Sequence, residues 1–128
     1  MPARIIADSS IWIDHLNEGH EELASLLKRR RIVLHPMIIG EIGLGSIANR
    51  RVVIEELGKL PSARPVAHAE VMALVEWQKL FGSGIGYVDA HLLASTLQLK
   101  DGSLWTRDKR LHAQAARLGV AYQGAVTR

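Results

Sequence analysis

The sequence contains no cysteine. That removes disulfides, thiolate zinc sites, iron–sulfur clusters and cysteine nucleophiles together, and it points to a reducing compartment, the cytoplasm. Aromatic residues make up only 5%, so Trp12, Trp77 and Trp105 are assigned to the core rather than to base stacking. No stretch approaches the ~20 apolar residues of a membrane helix, and Met1 to Asp8 reaches an acid before any long apolar run. Neither membrane insertion nor a secretory leader is therefore expected.

What is present describes an ordinary folded domain. The 128 residues are 48% hydrophobic and 23% charged, which suits one core and one domain spanning the whole chain, 1–128. Sixteen Lys and Arg oppose thirteen Asp and Glu, for a formal charge of +3, and the sequence pI is about 9.6. A basic balance of this size suits a polyanionic partner without requiring one.

Apolar periodicity divides the chain into short strands and amphipathic helices. Arg4 to Ala7 reads as a strand ending at Asp8, and Ser9 and Ser10 open a helix through Ile11, Trp12 and Leu16. Helical spacing of Leu23, Leu26 and Leu27 follows, then a strand over Ile32 to Leu34. Pro36 suits the first turn of a helix from Met37 to about Ser46, and a further helix covers Asn49 to Leu60. Pro61 and Pro65 bracket a linker before a long helix, Ala67 to Phe81. Gly82, Gly84 and Gly86 make a loop that lacks the preceding strand and the Lys of a phosphate-binding loop, so it reads as a connector. Tyr87 to Leu99 is helical, Leu104 to Thr106 a strand, Asp108 to Leu118 a helix closed by Gly119, and Val120 to Tyr122 a last strand. This alternation predicts an α/β fold, a three-layer α/β/α sandwich whose mainly parallel sheet presents its functional rim at the C-terminal strand ends.

Nine of the thirteen acids fall on polar helix faces or in loops and read as solvated surface. Four do not. Asp8 and Asp108 follow strands, where capping of the next helix is one use for them. Asp89 falls in a first helical turn, where the helix dipole favours negative charge. Glu41 is the only charge in Met37-Ile38-Ile39-Gly40-Glu41-Ile42-Gly43-Leu44, a run that predicts a buried carboxylate in need of compensation. A hard divalent cation, Mg²⁺ or Mn²⁺, would compensate all four, because such ions take oxygen ligands and are commonly held by a few carboxylates plus phosphate. The histidines His15, His20, His35, His68, His91 and His112 show no zinc-protease spacing and read as surface or core. His112 lies four residues after Asp108, close enough to orient it. Arg107, Lys109 and Arg110 flank Asp108, and Lys28 to Arg31 form a second basic run; both are candidates for phosphate contact.

Four segments taken together resemble a known family. They are Ile5-Ile6-Ala7-Asp8-Ser9-Ser10-Ile11-Trp12-Ile13, Glu41 in its apolar helix, Tyr87-Val88-Asp89-Ala90, and Trp105-Thr106-Arg107-Asp108-Lys109-Arg110-Leu111. In order and spacing they resemble the PIN-domain nucleases, and within them the VapC toxins of bacterial and archaeal toxin–antitoxin pairs, over nearly the whole chain. The resemblance implies an α/β/α sandwich and a Mg²⁺- or Mn²⁺-dependent endoribonuclease. Asp8, Glu41, Asp89 and Asp108 would be its acidic, metal-binding quartet, with Thr106 as the hydroxyl residue accompanying the last acid and Ser9 flanking the first. It further implies a homodimer, a cognate VapB-like antitoxin, and cleavage by water that leaves a 5′-phosphate and a 3′-hydroxyl. The competing readings are a catalytically silent RNA-binding module and a metal-dependent DNA nuclease.

Overall fold

The computed structural model describes residues 3–124. Strand β1, Arg4–Ala7, buries Ile5, Ile6 and Ala7 completely. Successive strand residues point to opposite faces, so a run with no exposed position marks a strand covered on both sides. It pairs in parallel with β2, Ile32–Val33, on one edge and with β3, Gly102–Trp105, on the other, giving the order β2-β1-β3. Ile5 stands opposite Ile32 and Ser103, and Ala7 opposite Trp105. Single parallel bridges, Leu34 to Ser62 and Leu104 to Ala121, widen the sheet at each edge.

Seven helices complete the described chain: α1 Ser9–Glu18, α2 Glu21–Lys28, α3 Pro36–Gly43, α4 Arg50–Leu57, α5 His68–Trp77, α6 Tyr87–Gln98 and α7 Lys109–Arg117. The path from β1 to β2 runs toward one edge, and the path to β3 runs back across β1 toward the other. Right-handed crossovers therefore put α1 to α4 on one face and α5 to α7 on the opposite face. The packing agrees: α1 touches α2 and α3, and α3 touches α4, while α5 packs on α6, α6 on β1 and β3, and α7 on β3. The three-layer expectation holds. The core between the layers is aliphatic, built on Ile5, Ile6, Leu23, Leu92, Leu93, Leu104 and Leu111, each worth roughly 1.5–3 kcal/mol when fully buried.

Several boundaries differ from the sequence reading. β3 starts two residues early, at Gly102, because only a glycine fits there. A Cβ at this position would lie 2.6 Å from both the Thr96 carbonyl oxygen and Leu99 Cβ. The expected long helix to Phe81 ends at Trp77, after which Lys79 turns at φ 53°. The helix expected from Asn49 begins at Arg50, since Asn49 is left-handed, and it stops at Leu57. The helix from Pro36 stops at Gly43 rather than near Ser46. The expected last strand, Val120 to Tyr122, shrinks to the bridge at Ala121, held by Leu104 N–H to Val120 O (2.7 Å) and Tyr122 N–H to Leu104 O (2.9 Å). Trp12 and Trp105 are buried as expected, but Trp77, at the end of α5, is 82% exposed and so is not a core residue. Among the described residues no helix is long and apolar enough to cross a membrane.

Candidate active site

β1 and β3 are neighbours, yet the chain leaves them toward opposite faces, into α1 and α7. Such a switch point opens a crevice beyond the carboxyl ends of the strands. The residues filling it are Asp8, immediately after β1, and Thr106 to Asp108, immediately after β3.

Asp8 caps α1 and is buried, at 8% exposure. Its Oδ1 accepts from Ser10 N–H (3.0 Å), Ser10 Oγ (2.5 Å) and Ile11 N–H (3.4 Å). Its Oδ2 accepts from the Thr106 hydroxyl. The backbone adds a further tie, Asp8 N–H to Trp105 O at 2.9 Å. Thr106 is also buried and, while donating to Asp8, accepts from Asp108 N–H at 3.0 Å. Asp108 in turn caps α7, its Oδ1 accepting from Arg110 N–H (2.9 Å) and Leu111 N–H (3.0 Å). One continuous hydrogen-bond path thus joins the start of α1, the end of β3 and the start of α7. The capping role expected of Asp8 and Asp108 is real, and it fixes both carboxylates at the rim.

Asp89 enters from α6, on the same face of the sheet as α7 and opposite α1. In the first turn of α6, its Oδ2 accepts from Gly86 N–H at 3.0 Å. Burial pushes its pKa above the ordinary carboxylate value, the Gly86 hydrogen bond opposes this, and the negative charges of Asp108 and Asp8 reinforce it. The three aspartates therefore share one electrostatic field, although they are 81 and 19 positions apart in sequence order.

Glu41 behaves differently. It lies in α3 but is exposed, and it makes no hydrogen bond or ion pair among the described residues. The expectation of a buried carboxylate fails because α3 is amphipathic: Ile38 and Ile42, four apart, take the buried side, and Glu41 falls off it. α3 packs against α1, which starts at Asp8. The structure brings together Asp8, Thr106, Asp108 and, through space, Asp89; Glu41 stays apart from their hydrogen bonds.

The chemistry of this set suits a hard divalent cation, since every side-chain donor is oxygen and the negative charges of Asp108 and Asp8 act on Asp89. Among the described residues, no group of three or more His, Cys, Asp or Glu side chains is arranged to hold a metal ion as it stands. Mg²⁺ needs only one or two carboxylates, because it keeps several waters and shares its remaining positions with phosphate.

Ser10 and Asp14 were not singled out from sequence as partners at the site. Ser10, not Ser9, supplies the hydroxyl on Asp8. Asp14 forms an ion pair with Arg107 across the crevice mouth, and Ser10, Ile13, Asp14, Arg107 and Asp108 line an open depression of about 470 Å³. The signal was there: Ser10 and Asp14 are four apart, hence on one helical face. Arg110, from the first turn of α7, lies against Gly84 in the loop before α6. His112 makes no side-chain hydrogen bond to Asp108, so the orienting role expected of it has no contact behind it.

The chain is 44% identical over 117 residues to ribonuclease VapC32 of Mycobacterium tuberculosis, from strains CDC 1551 / Oshkosh and ATCC 25618 / H37Rv, covering 91% of this chain and 94% of the relative. The crystal structure of PAE2754 from Pyrobaculum aerophilum superposes with a TM-score of 0.60 at 17% identity, over 88% of this chain and 80% of that one, a likeness of fold. No family model matches the chain.

Proposed function

The chain belongs to the VapC family of PIN-domain ribonucleases, and on that premise we propose that it is a divalent-metal-dependent endoribonuclease, the toxin of a type II toxin–antitoxin pair. The observation that carries the proposal is the crevice itself: Asp8 and Asp108 joined through Thr106, with Asp89 in their field.

Asp8, Asp89 and Asp108 would hold the cation, with Glu41, on the exposed side of α3, proposed as a fourth acid. When bound, Mg²⁺ or Mn²⁺ would supply positive charge that eases loss of a proton from the water attacking the phosphodiester and that offsets charge on the phosphate. The chain's own contribution is positional. Thr106 and Ser10 fix the Asp8 carboxylate from two sides, so its orientation is set before substrate arrives. Asp89, partly desolvated and facing two other acids, favours a site filled by positive charge. The exposed, basic surroundings of Asp108 suit a phosphate backbone.

The partners that go with this reading are single-stranded RNA, a VapB-like antitoxin that offsets the acidic crevice when bound, and a second copy of the chain. The exposed apolar residues Met72, Trp77 and Phe81 support an association surface on the α5 side. The cytoplasm, where RNA and a reducing environment coincide, is the proposed location.

The test is cleavage of a mixed RNA pool and of single- and double-stranded DNA by purified protein with Mg²⁺, Mn²⁺ or EDTA. RNA cut only with metal supports the proposal. Cutting of DNA alone favours a DNA nuclease, and binding without cutting in either metal favours a silent RNA-binding module.

A further inference from the structure

Three basic side chains flank or follow Asp108, and the structure separates their roles. Arg107 is paired with Asp14. Lys109 is exposed at the first position of α7. Arg110 reaches back over the glycine loop, and a methyl group built on Gly84 would lie 2.7 Å from Arg110 Cδ, 3.0 Å from Nη1 and 3.2 Å from Nε. Gly84 also sits at φ +91°, so a larger residue there would be strained and would displace the Arg110 side chain from its present position.

The two ends of this contact are the two loops that carry acids. The backbone N–H of Arg110 holds Asp108, and Gly86, two residues after Gly84, holds Asp89. Arg110 therefore spans from one acid-bearing segment to the other. Among the described residues its guanidinium makes no hydrogen bond or ion pair. An exposed guanidinium fork lying over the glycine loop, with its donors open and its charge not committed to the nearby carboxylates, matches the bidentate geometry of a phosphate.

We propose that Arg110 grips a backbone phosphate of the RNA at the edge of the acidic crevice, and that Gly84 is small in order to seat it. This rests on the ribonuclease reading. Arg107, held by Asp14, walls the other side of the opening, so the strand enters between the two arginines.

The experiment measures binding of a fluorescein-labelled single-stranded RNA in EDTA, by anisotropy over a range of salt, alongside cleavage in Mg²⁺. Arg110→Ala weakens binding and makes the slope of log K against log salt shallower by about 0.7, the loss of one single-strand phosphate contact. Arg110→Lys keeps the slope but binds more weakly than wild type, because the fork is gone. Gly84→Ala weakens binding as Arg110→Ala does, and in the Arg110→Ala background it adds nothing. Thermal melting confirms that the exposed-site variants Arg110→Ala and Arg110→Lys remain folded, so they decide the outcome even if Gly84→Ala does not fold. An unchanged affinity and slope in Arg110→Ala overturns the proposal while leaving the ribonuclease reading intact, as does a slope that moves only with Lys109→Ala. A wild type that neither binds nor cuts RNA overturns both.

Discussion

The hydroxyl of Thr106 donates to the carboxylate of Asp8 across 98 positions of sequence, and the same oxygen accepts the N–H of Asp108 at 3.0 Å. A side chain with both donor and acceptor is needed at the end of β3, because a carboxylate and an amide meet it from opposite sides.

Thr106→Val keeps the shape and removes the hydroxyl. Leaving a buried Asp8 oxygen short of its donor costs about 1–3 kcal/mol, and RNA cleavage falls with it, whereas Thr106→Ser retains most of both. Urea unfolding of the two variants, run beside cleavage assays, checks this. Equal stability of Val and wild type would show that the bond contributes nothing.

Asp89 has a folded-state pKa raised above its ordinary value. The folded protein therefore holds a proton that the unfolded chain has released, so metal-free stability falls as pH rises through the ordinary carboxylate range to the folded value and stays lost above it. Asp89→Asn removes that penalty while its side-chain oxygen can still accept from Gly86. In EDTA at neutral pH the variant melts higher than wild type; with Mg²⁺ the gap narrows or reverses, because the cation stabilises only the wild type. A variant that melts lower in EDTA contradicts the field argument.

Three histidines act at the acid end. Burial lowers the pKa of His15, with His20 adding to the effect; burial and His91 lower that of His35; burial and His68 lower that of His91. His35 Nδ1 accepts from Met37 N–H and its Nε2 meets Ser95 Oγ, an arrangement that suits the neutral ring. Folded pKa values below the unfolded value of about 6.5 mean that stability is fully present above that pH and is lost as pH falls toward the folded values. His91, buried with both ring nitrogens lacking a hydrogen-bond partner among the described residues, gives the clearest test. His91→Phe keeps the edge contact with Tyr87, and its melting temperature drops less between pH 7.5 and pH 5 than that of wild type.

Glu41 separates surface from function. Because it is exposed and unpaired among the described residues, Glu41→Gln changes stability by no more than about 0.5 kcal/mol. If Glu41 is the fourth acid, metal-dependent cleavage nonetheless falls at least tenfold. Full activity in this variant would reduce the site to three aspartates.

The alternation of strands and helices and the strand-end positions of Asp8 and Asp108 were legible because they depend on local signals: β-branched runs, serine and aspartate caps, and glycine breaks; the strand order β2-β1-β3 was not. The environment of Glu41 was not, since an apolar run does not show that Ile38 and Ile42 alone take the buried face. The exposure of Trp77 escaped composition for a similar reason: it follows from where α5 ends. Val120 to Tyr122 has strand-forming residues but only Leu104 to pair with. The Asp14–Arg107 pair and the seat of Arg110 on Gly84 are tertiary contacts that no spacing rule specifies.

The central claim is that Asp8, Asp89 and Asp108 form one cation site. Titration of Mn²⁺ into metal-free protein, followed by electron paramagnetic resonance, tests it without any RNA. Wild type should take up the ion, and Asp8→Asn, Asp89→Asn and Asp108→Asn should each bind it at least tenfold more weakly while remaining folded. Undiminished Mn²⁺ binding in all three variants would contradict the account.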